Sequence, residues 1–322
     1  MAVTYRDFIH PEDEKAIRVI QAIPAYEEVS QIVMKAGVEQ YYHSTFMAEH
    51  IRLSPKQLPK IYGLLPPVCK KFGIEEPEFY LQMDPNPQAF TTGDKRAFLL
   101  ITSGLLDCVT DPLELQALIA HECGHIMCRH VFYSTLANFL ANGNIVPINA
   151  VASKLVNDVA DVAETLPLIG TGVRVFGKIA ENAQLALLAA LSYWARRSEL
   201  SCDRASAVFC GNANIPAKAL LRVVGGPSRF TSDIDVGEYA NQCNDKELRS
   251  KWQKTLRGAK VLFADHPYST VRINEMIKFA NSERFQQISA HLKNAAIGRV
   301  CLKCGKPISE GQKFCRFCGA KI

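Results

Sequence analysis

Apolar positions recur along the chain with two different periods, and the changes of period divide it into elements. Near the N-terminus Ile17, Ile20 and Ile23 are spaced three apart in a charged segment, which predicts a helix broken at Pro24. Residues 1 to about 50 read as helical. From 54 to 72 the pattern predicts another helix, opened by Ser54-Pro55 and ended by Gly73. Segments 79–83 and 97–102 are short apolar runs that predict strands, with Asp84-Pro85-Asn86-Pro87 as the loop between them.

Asp111 then offers an N-cap, Pro112 takes the first helical position, and Glu114 has the spacing of a capping box. The helix that follows carries Leu115, Leu118, Ile119, Ile126 and Met127 as its apolar positions. A long helix is predicted over 181–210, stopped by Gly211. Residues 141–180 are rich in Gly, Asn and Pro and give no clear period. The last segment, 301–322, is a separate cysteine-bearing module. The expected fold class is therefore α+β, mostly helical, with a small sheet and a C-terminal appendage.

Composition narrows the class. The chain has 322 residues, 48% of them hydrophobic, enough for one sizeable core. Its 37 Lys and Arg against 32 Asp and Glu leave +5, too little to make nucleic acid the expected partner. The first twenty residues hold Asp7, Glu12, Asp13, Glu14 and Lys15 and no apolar run, so no secretory leader is expected. Of the 11 cysteines, seven are scattered and read as small buried hydrophobes in a reducing compartment. The longest apolar run, 183–195, lies between Glu181 and Arg196 and falls short of the roughly 20 residues a membrane span needs. A soluble, cytoplasmic protein is expected, with membrane association peripheral at most.

The chemistry concentrates in His121-Glu122-Cys123-Gly124-His125. On a helix His121 and His125 are at i and i+4, so both imidazoles leave one face and can grip one metal ion. Glu122 is offset by about 100°, beside the metal rather than on it, where it can take a proton from a metal-activated water. Gly124 lets a second backbone approach this turn. The competing reading is an ordinary amphipathic helix with two histidines.

Catalytic zinc needs a third protein ligand. Cys128 and Val131 occupy the two places where a metzincin would carry glycine and a third histidine, which excludes that class. His130 is five residues past His125, off the ligand face, and reads as a structural or supporting residue. Glu199 and Asp203 are again i and i+4, so both carboxylates share a face. One can bind metal while the other orients a ligand histidine. The competing reading there is an exposed acidic pair bridged to Arg196 or Arg204.

Several ordered motifs carry a resemblance over roughly residues 40–280. They are Ile101-Thr102-Ser103-Gly104-Leu105-Leu106-Asp107, the helix ending His121-Glu122-Cys123-Gly124-His125-Ile126-Met127-Cys128-Arg129-His130, the Glu199-to-Asp203 stretch, and Asp265-His266-Pro267 with Arg272-Ile273 after it. In these the chain resembles the HtpX-like and CAAX prenyl endopeptidase group of gluzincin zinc peptidases, as a soluble member without their long membrane helices. The resemblance implies a zincin-like domain in which Glu199 is the third zinc ligand and Asp203 a partner of His121. It implies that His266 and Arg272 line the cleft, with His266 donating to the tetrahedral oxyanion; a turn histidine before proline is the other reading of His266. Where the family has Asn-Ala-Phe ahead of an edge strand, this chain has Gln88-Ala89-Phe90.

Cys301-x-x-Cys304-Gly305 and Cys315-x-x-Cys318-Gly319 repeat one knuckle. Four thiolates at this spacing suit one tetrahedral structural zinc with no open position. Arg299, Lys303, Lys306, Lys313, Arg316 and Lys321 outnumber Glu310, leaving a mild charge of about +3 once the zinc and its thiolates are counted. That suits protein docking or fold stabilisation better than nucleic acid.

The expected organisation is a helical extension over 1–40, a metallopeptidase domain over 41–290 and a zinc ribbon over 297–322. The expected activity is zinc-dependent endoproteolysis of polypeptides, with Glu122 as general base, one catalytic and one structural zinc. The alternatives are a latent enzyme, plugged by residues 141–180 or by the ribbon, and a non-catalytic adaptor that binds a protein partner through the ribbon. A relic would be expected to have lost the base or a ligand, and Glu122, His121, His125 and Glu199 are all present.

Overall fold

The computed structural model describes residues 3–23, 26–35, 38–142, 170–244, 268–294, 299–300, 307–308, 313–316 and 318–321. The N-terminal segment forms α1 (Tyr5–Phe8), α2 (Pro11–Gln21), α3 (Tyr26–Lys35) and α4 (Val38–Glu49), followed by β1 (Ile51–Arg52). Pro11 opens α2 at a position whose N–H has no helical partner in any case, and His10 Nδ1 accepts from the Glu12 amide at 3.2 Å. The single helix expected over 54–72 is instead α5 (Pro59–Tyr62) and α6 (Leu65–Phe72). Pro59, Pro66 and Pro67 supply no amide hydrogen, so one ladder cannot run through them; each proline falls in the first turn of a short helix.

The strands β2 (Glu78–Gln82), β3 (Ala89–Gly93) and β4 (Ala97–Thr102) complete a sheet in the order β1-β2-β4-β3. β2 and β4 are parallel; β1 and β3 are antiparallel to their neighbours. β4 has the bounds read from sequence and β2 is shifted by one residue. Successive side chains alternate between two buried layers. Phe79, Leu99 and Ile101 enter the main core, while Tyr80, Phe98 and Leu100 pack under Phe46 of α4. Burial on both faces is why these strands read as continuous apolar runs rather than alternating ones.

Next come α7 (Ser103–Cys108), α8 (Pro112–Met127), α9 (His130–Asn142), α10 (Gly170–Cys210), α11 (Asn214–Gly225), α12 (Ser228–Thr231) and α13 (Val236–Asn241). α14 (Ser269–Ala280) and α15 (Glu283–Asn294) follow, and β5 (Arg299–Val300) pairs antiparallel with β6 (Pro307–Ile308). The poorly legible stretch 141–180 lies mostly outside the described residues, which resume with α10. No described helix is long and apolar enough to cross a membrane.

α8 is the central layer: Leu115, Ile119, Ala120 and Cys123 share one core with α6, β4, α10, α11 and α14. Asp111 Oδ1 caps it, accepting from Leu113 N at 2.7 Å. The expected capping box does not form. Glu114 turns instead to Arg222 of α11, with Oε2 to Nε at 3.1 Å and Oε1 to Nη2 at 3.3 Å. Arg222 is buried and requires a counter-charge, which outranks a bond to the Asp111 amide at an exposed position that solvent can reach. Gly124 fulfils its expected role: a Cβ there would stand 2.9 Å from Ala205 Cβ and 3.3 Å from Cys202 Cα. The closeness of α8 and α10 depends on its absence.

Candidate metal centre

The Gly124 contact brings the two halves of the site together. His121 and His125 on α8 point their Nε2 atoms at opposite oxygens of Glu199 on α10, each at 3.4 Å. All three residues are buried. Zinc bonds of about 2.0–2.1 Å to imidazole and 2.0–2.2 Å to carboxylate, at a tetrahedral angle, would separate two donors by roughly 3.3 Å. The spacing fits.

Charge fits as well. Burial lowers the affinity of His121 for a proton, yet Asp203 and Glu199 outweigh it and lift its pKa to about 10. The cluster therefore calls for a cation between its carboxylates. His125, with Glu199 facing its Nε2, is pushed below the usual imidazole range, chiefly by burial.

Cys202 also places its sulfur within 4.8 Å of donor atoms of His121 and His125. Burial raises this thiol well above its ordinary pKa, so it keeps its proton. Its Sγ lies 3.6 Å from His130 Nδ1, on the side of the imidazoles away from Glu199. The Nδ1 atoms on that side already have partners: Asp203 Oδ1 is 3.1 Å from His121 Nδ1, and His130 Nδ1 is 3.3 Å from His125 Nδ1. Glu199, whose two oxygens face both Nε2 atoms, does not meet that competition on its own side of the imidazoles.

Glu199 and Asp203 are not the exposed acidic pair of the competing reading. Arg272 of α14, expected to line the cleft, is buried and clamps both. Its Nη2 and Nε lie 2.7 and 2.9 Å from the two Asp203 oxygens, and Nη1 lies 2.9 Å from Glu199 Oε2. Burial alone would raise the pKa of Asp203; Arg272 and His121 reverse that and hold it below the ordinary carboxylate range.

Glu122 is buried beside the ligands, and its Oε2 accepts a hydrogen bond from Thr91 Oγ1 of β3 at 3.1 Å. Sequence reasoning missed Thr91, because the resemblance places an edge strand after Phe90 but no motif marks a threonine within it. Gln88-Ala89-Phe90 leads into that strand, which begins at Ala89 and forms a sheet edge. Thr102 N donates to Gln88 O at 3.0 Å, so alternation turns the backbone groups of Gln88, Phe90 and Thr92 toward β4 and those of Ala89 and Thr91 toward the edge that no described strand pairs. At Gly93 the edge is closed by Thr135 of α9, whose Oγ1 donates to Gly93 O at 2.8 Å.

His130 is where the structure adds most. Arg129 adopts a left-handed conformation, φ 59°, between α8 and α9, so His130 folds back against His125 instead of continuing the helix. It is fully buried.

His266, Cys301 and Cys304 lie outside the described residues. Cys315 is buried; Gly319 N donates to Cys315 O at 2.8 Å, and Gly319 itself has φ 70°, a tight turn of the kind a zinc knuckle needs.

The chain is similar to known metallopeptidases. The sequence profile of peptidase family M48 matches residues 56–280, and that of a zinc-ribbon domain matches residues 300–322. The chain is 27% identical over 286 residues to the plastoglobule-localized metallopeptidase 48, chloroplastic, of Arabidopsis thaliana, covering 88% of this chain and 74% of that protein. It is 26% identical over 229 residues to a protease HtpX homolog of Moorella thermoacetica, covering 65% and 71%. It is 30% identical over 191 residues to protease HtpX homolog 1 of Streptomyces coelicolor, covering 58% and 60%. No solved structure matches. The chain belongs to peptidase family M48 and is a zinc-dependent metalloprotease with a zinc-ribbon domain at its C-terminal end.

Proposed function

We propose that this protein is an endopeptidase that holds zinc through His121, His125 and Glu199 and cleaves extended polypeptide segments with Glu122 as general base. The observation that carries the reading is the convergence of both Nε2 atoms on the two oxygens of Glu199 at 3.4 Å. Bound there, zinc would polarise the scissile carbonyl and acidify a water molecule.

The remaining chemistry belongs to the chain. Glu122 accepts the proton of the attacking water on its carboxylate and returns it to the leaving amine. The Thr91 hydroxyl fixes the orientation of that carboxylate through its bond to Oε2. Asp203 keeps the His121 Nδ1 proton in place, so that Nε2 presents its lone pair. Arg272 offsets the second carboxylate charge. The open backbone groups of Ala89 and Thr91 suit strand addition by the substrate, whose main chain would then run along β3 toward the end closed by Thr135. Phe90 and Gln88 flank that edge as contacts for substrate side chains. His266 remains a proposed oxyanion donor, where loss of one donor costs about 10²–10³ in rate. A second zinc in the ribbon, held by Cys301, Cys304, Cys315 and Cys318, would have no open position and so a structural role.

The test is to incubate the purified protein with an unfolded polypeptide and map the products by mass spectrometry. Cuts within the chain that stop on chelation and return with zinc are expected. Removal of terminal residues alone, or no cleavage by zinc-loaded protein, would overturn the reading.

A further inference from the structure

The histidine pair of the metal helix is braced by a residue far outside the peptidase family match. Asp13 of α2 is fully buried, 108 residues before His121. Its Oδ2 lies 2.9 Å from His130 Nε2, in direct contact though not aligned as a straight hydrogen bond. His130 Nδ1 in turn lies 3.3 Å from His125 Nδ1. Trp194 Nε1 donates to Asp13 Oδ1 at 3.0 Å, and the Ser201 hydroxyl donates to Oδ2. The His10 amide donates to the same Ser201 oxygen at 2.9 Å. The Trp194 ring meets the His130 ring edge-on with centroids 5.4 Å apart, so the imidazole is held from two directions.

We infer that Asp13 is a positioning residue for the zinc site, acting on His125 through His130. The inference rests on the proposed ligand role of His125 and goes beyond it. An imidazole that binds zinc through Nε2 carries its proton on Nδ1. His125 must then donate to His130 Nδ1, which leaves the His130 proton on Nε2, facing Asp13. A carboxylate there favours that arrangement and opposes the reverse one, in which His130 would donate to His125 and take away the zinc-binding tautomer. The surroundings of the buried Asp13 keep it ionised, since the nearby His130 with the Ser201 and Trp194 donors outweighs a burial effect that by itself would raise its pKa. The N-terminal segment is thus part of the metal site, and the peptidase family match from residue 56 onward omits a piece of it.

The test measures zinc affinity by chelator competition on the full-length protein, independent of peptidase activity. His121→Ala identifies which released zinc belongs to the helical site. Asp13→Asn is expected to weaken that site about 10–100-fold while leaving ribbon zinc in place. His130→Phe should weaken it similarly, and the double variant should lose no more than either single one, because both act on one path. Glu14→Ala, on the exposed side of the same helix, should change nothing. Additive losses from the two singles would assign Asp13 a general stabilising role and overturn the inference, as would unchanged affinity in folded Asp13→Asn. If Asp13→Asn does not fold, His130→Phe decides: affinity within threefold of wild type overturns the proposal. Should His125→Ala leave helical-site zinc untouched, the ligand assignment fails instead, which separates the two claims.

Discussion

Arg272 grips Asp203 with two nitrogens, Nη2 at 2.7 Å and Nε at 2.9 Å, and its third nitrogen reaches Glu199 at 2.9 Å. One guanidinium on α14 thereby fixes two carboxylates of α10 that share a helix face. Replacing it with alanine leaves both negative charges buried without their partner. Arg272→Ala is expected to cost about 3–5 kcal/mol in urea unfolding of the zinc-free protein at neutral pH. Arg272→Lys should recover little, because an ammonium cannot span both Asp203 oxygens and Glu199. A loss under about 1 kcal/mol would show that the clamp is dispensable.

Acid should expose the contribution of Asp13. Its folded pKa is depressed, so the stability it confers is present above the unfolded value of about 3.9 and is lost as pH falls through the folded value. The stability difference between zinc-free wild type and Asp13→Asn should stay level from pH 7 to about 5 and shrink below about 4. A difference that widens on acidification would contradict the sign of the shift.

The contact at Gly124 offers a mechanical test. Gly124→Val would force side-chain atoms against Ala205 and the Cys202 backbone, an overpacking that costs about 1–3 kcal/mol. It should also push α10, with Glu199, away from the two histidines. Thermal unfolding and zinc content should therefore both fall, whereas a purely local defect would spare the zinc.

The two metals should be separable. Zinc analysis of the full chain is expected to find about two ions per molecule. Cys315→Ser should remove one and leave the ion whose loss marks His121→Ala. Loss of both ions from Cys315→Ser would join the ribbon and the helical site into one unit.

Much of this site is legible in sequence because its geometry is local. His121 with His125, and Glu199 with Asp203, sit four apart on helices, the first with a plain N-cap at Asp111 and the second plain at its end though it begins at Gly170 rather than at 181. Knowing the helix is enough to know the shared face. His130 reads as a supporting residue, but its contact with Asp13 is illegible for the opposite reason: it spans 117 residues and depends on Arg129 turning left-handed, which no residue preference at that position announces. Glu114 shows that a correct spacing can be overruled, since a buried arginine from another helix took the side chain a capping box would have used. The 54–72 helix failed on residues that were visible, Pro59, Pro66 and Pro67, whose missing amides count for more than the apolar spacing around them. β3 is legible only through the resemblance, which places an edge strand after Phe90, because a threonine-rich edge strand draws its pairing from β4 and not from its own pattern.

In the proposed reaction Glu122 activates water at a metal it does not itself hold. The direct measurement compares Glu122→Gln with wild type for helical-site zinc and for cleavage of an unfolded polypeptide, on the same preparations. The account predicts unchanged zinc and a fall in cleavage rate of at least about 10²-fold, within the range for loss of a general base. Zinc-loaded Glu122→Gln that cleaves within about threefold of wild type would contradict it.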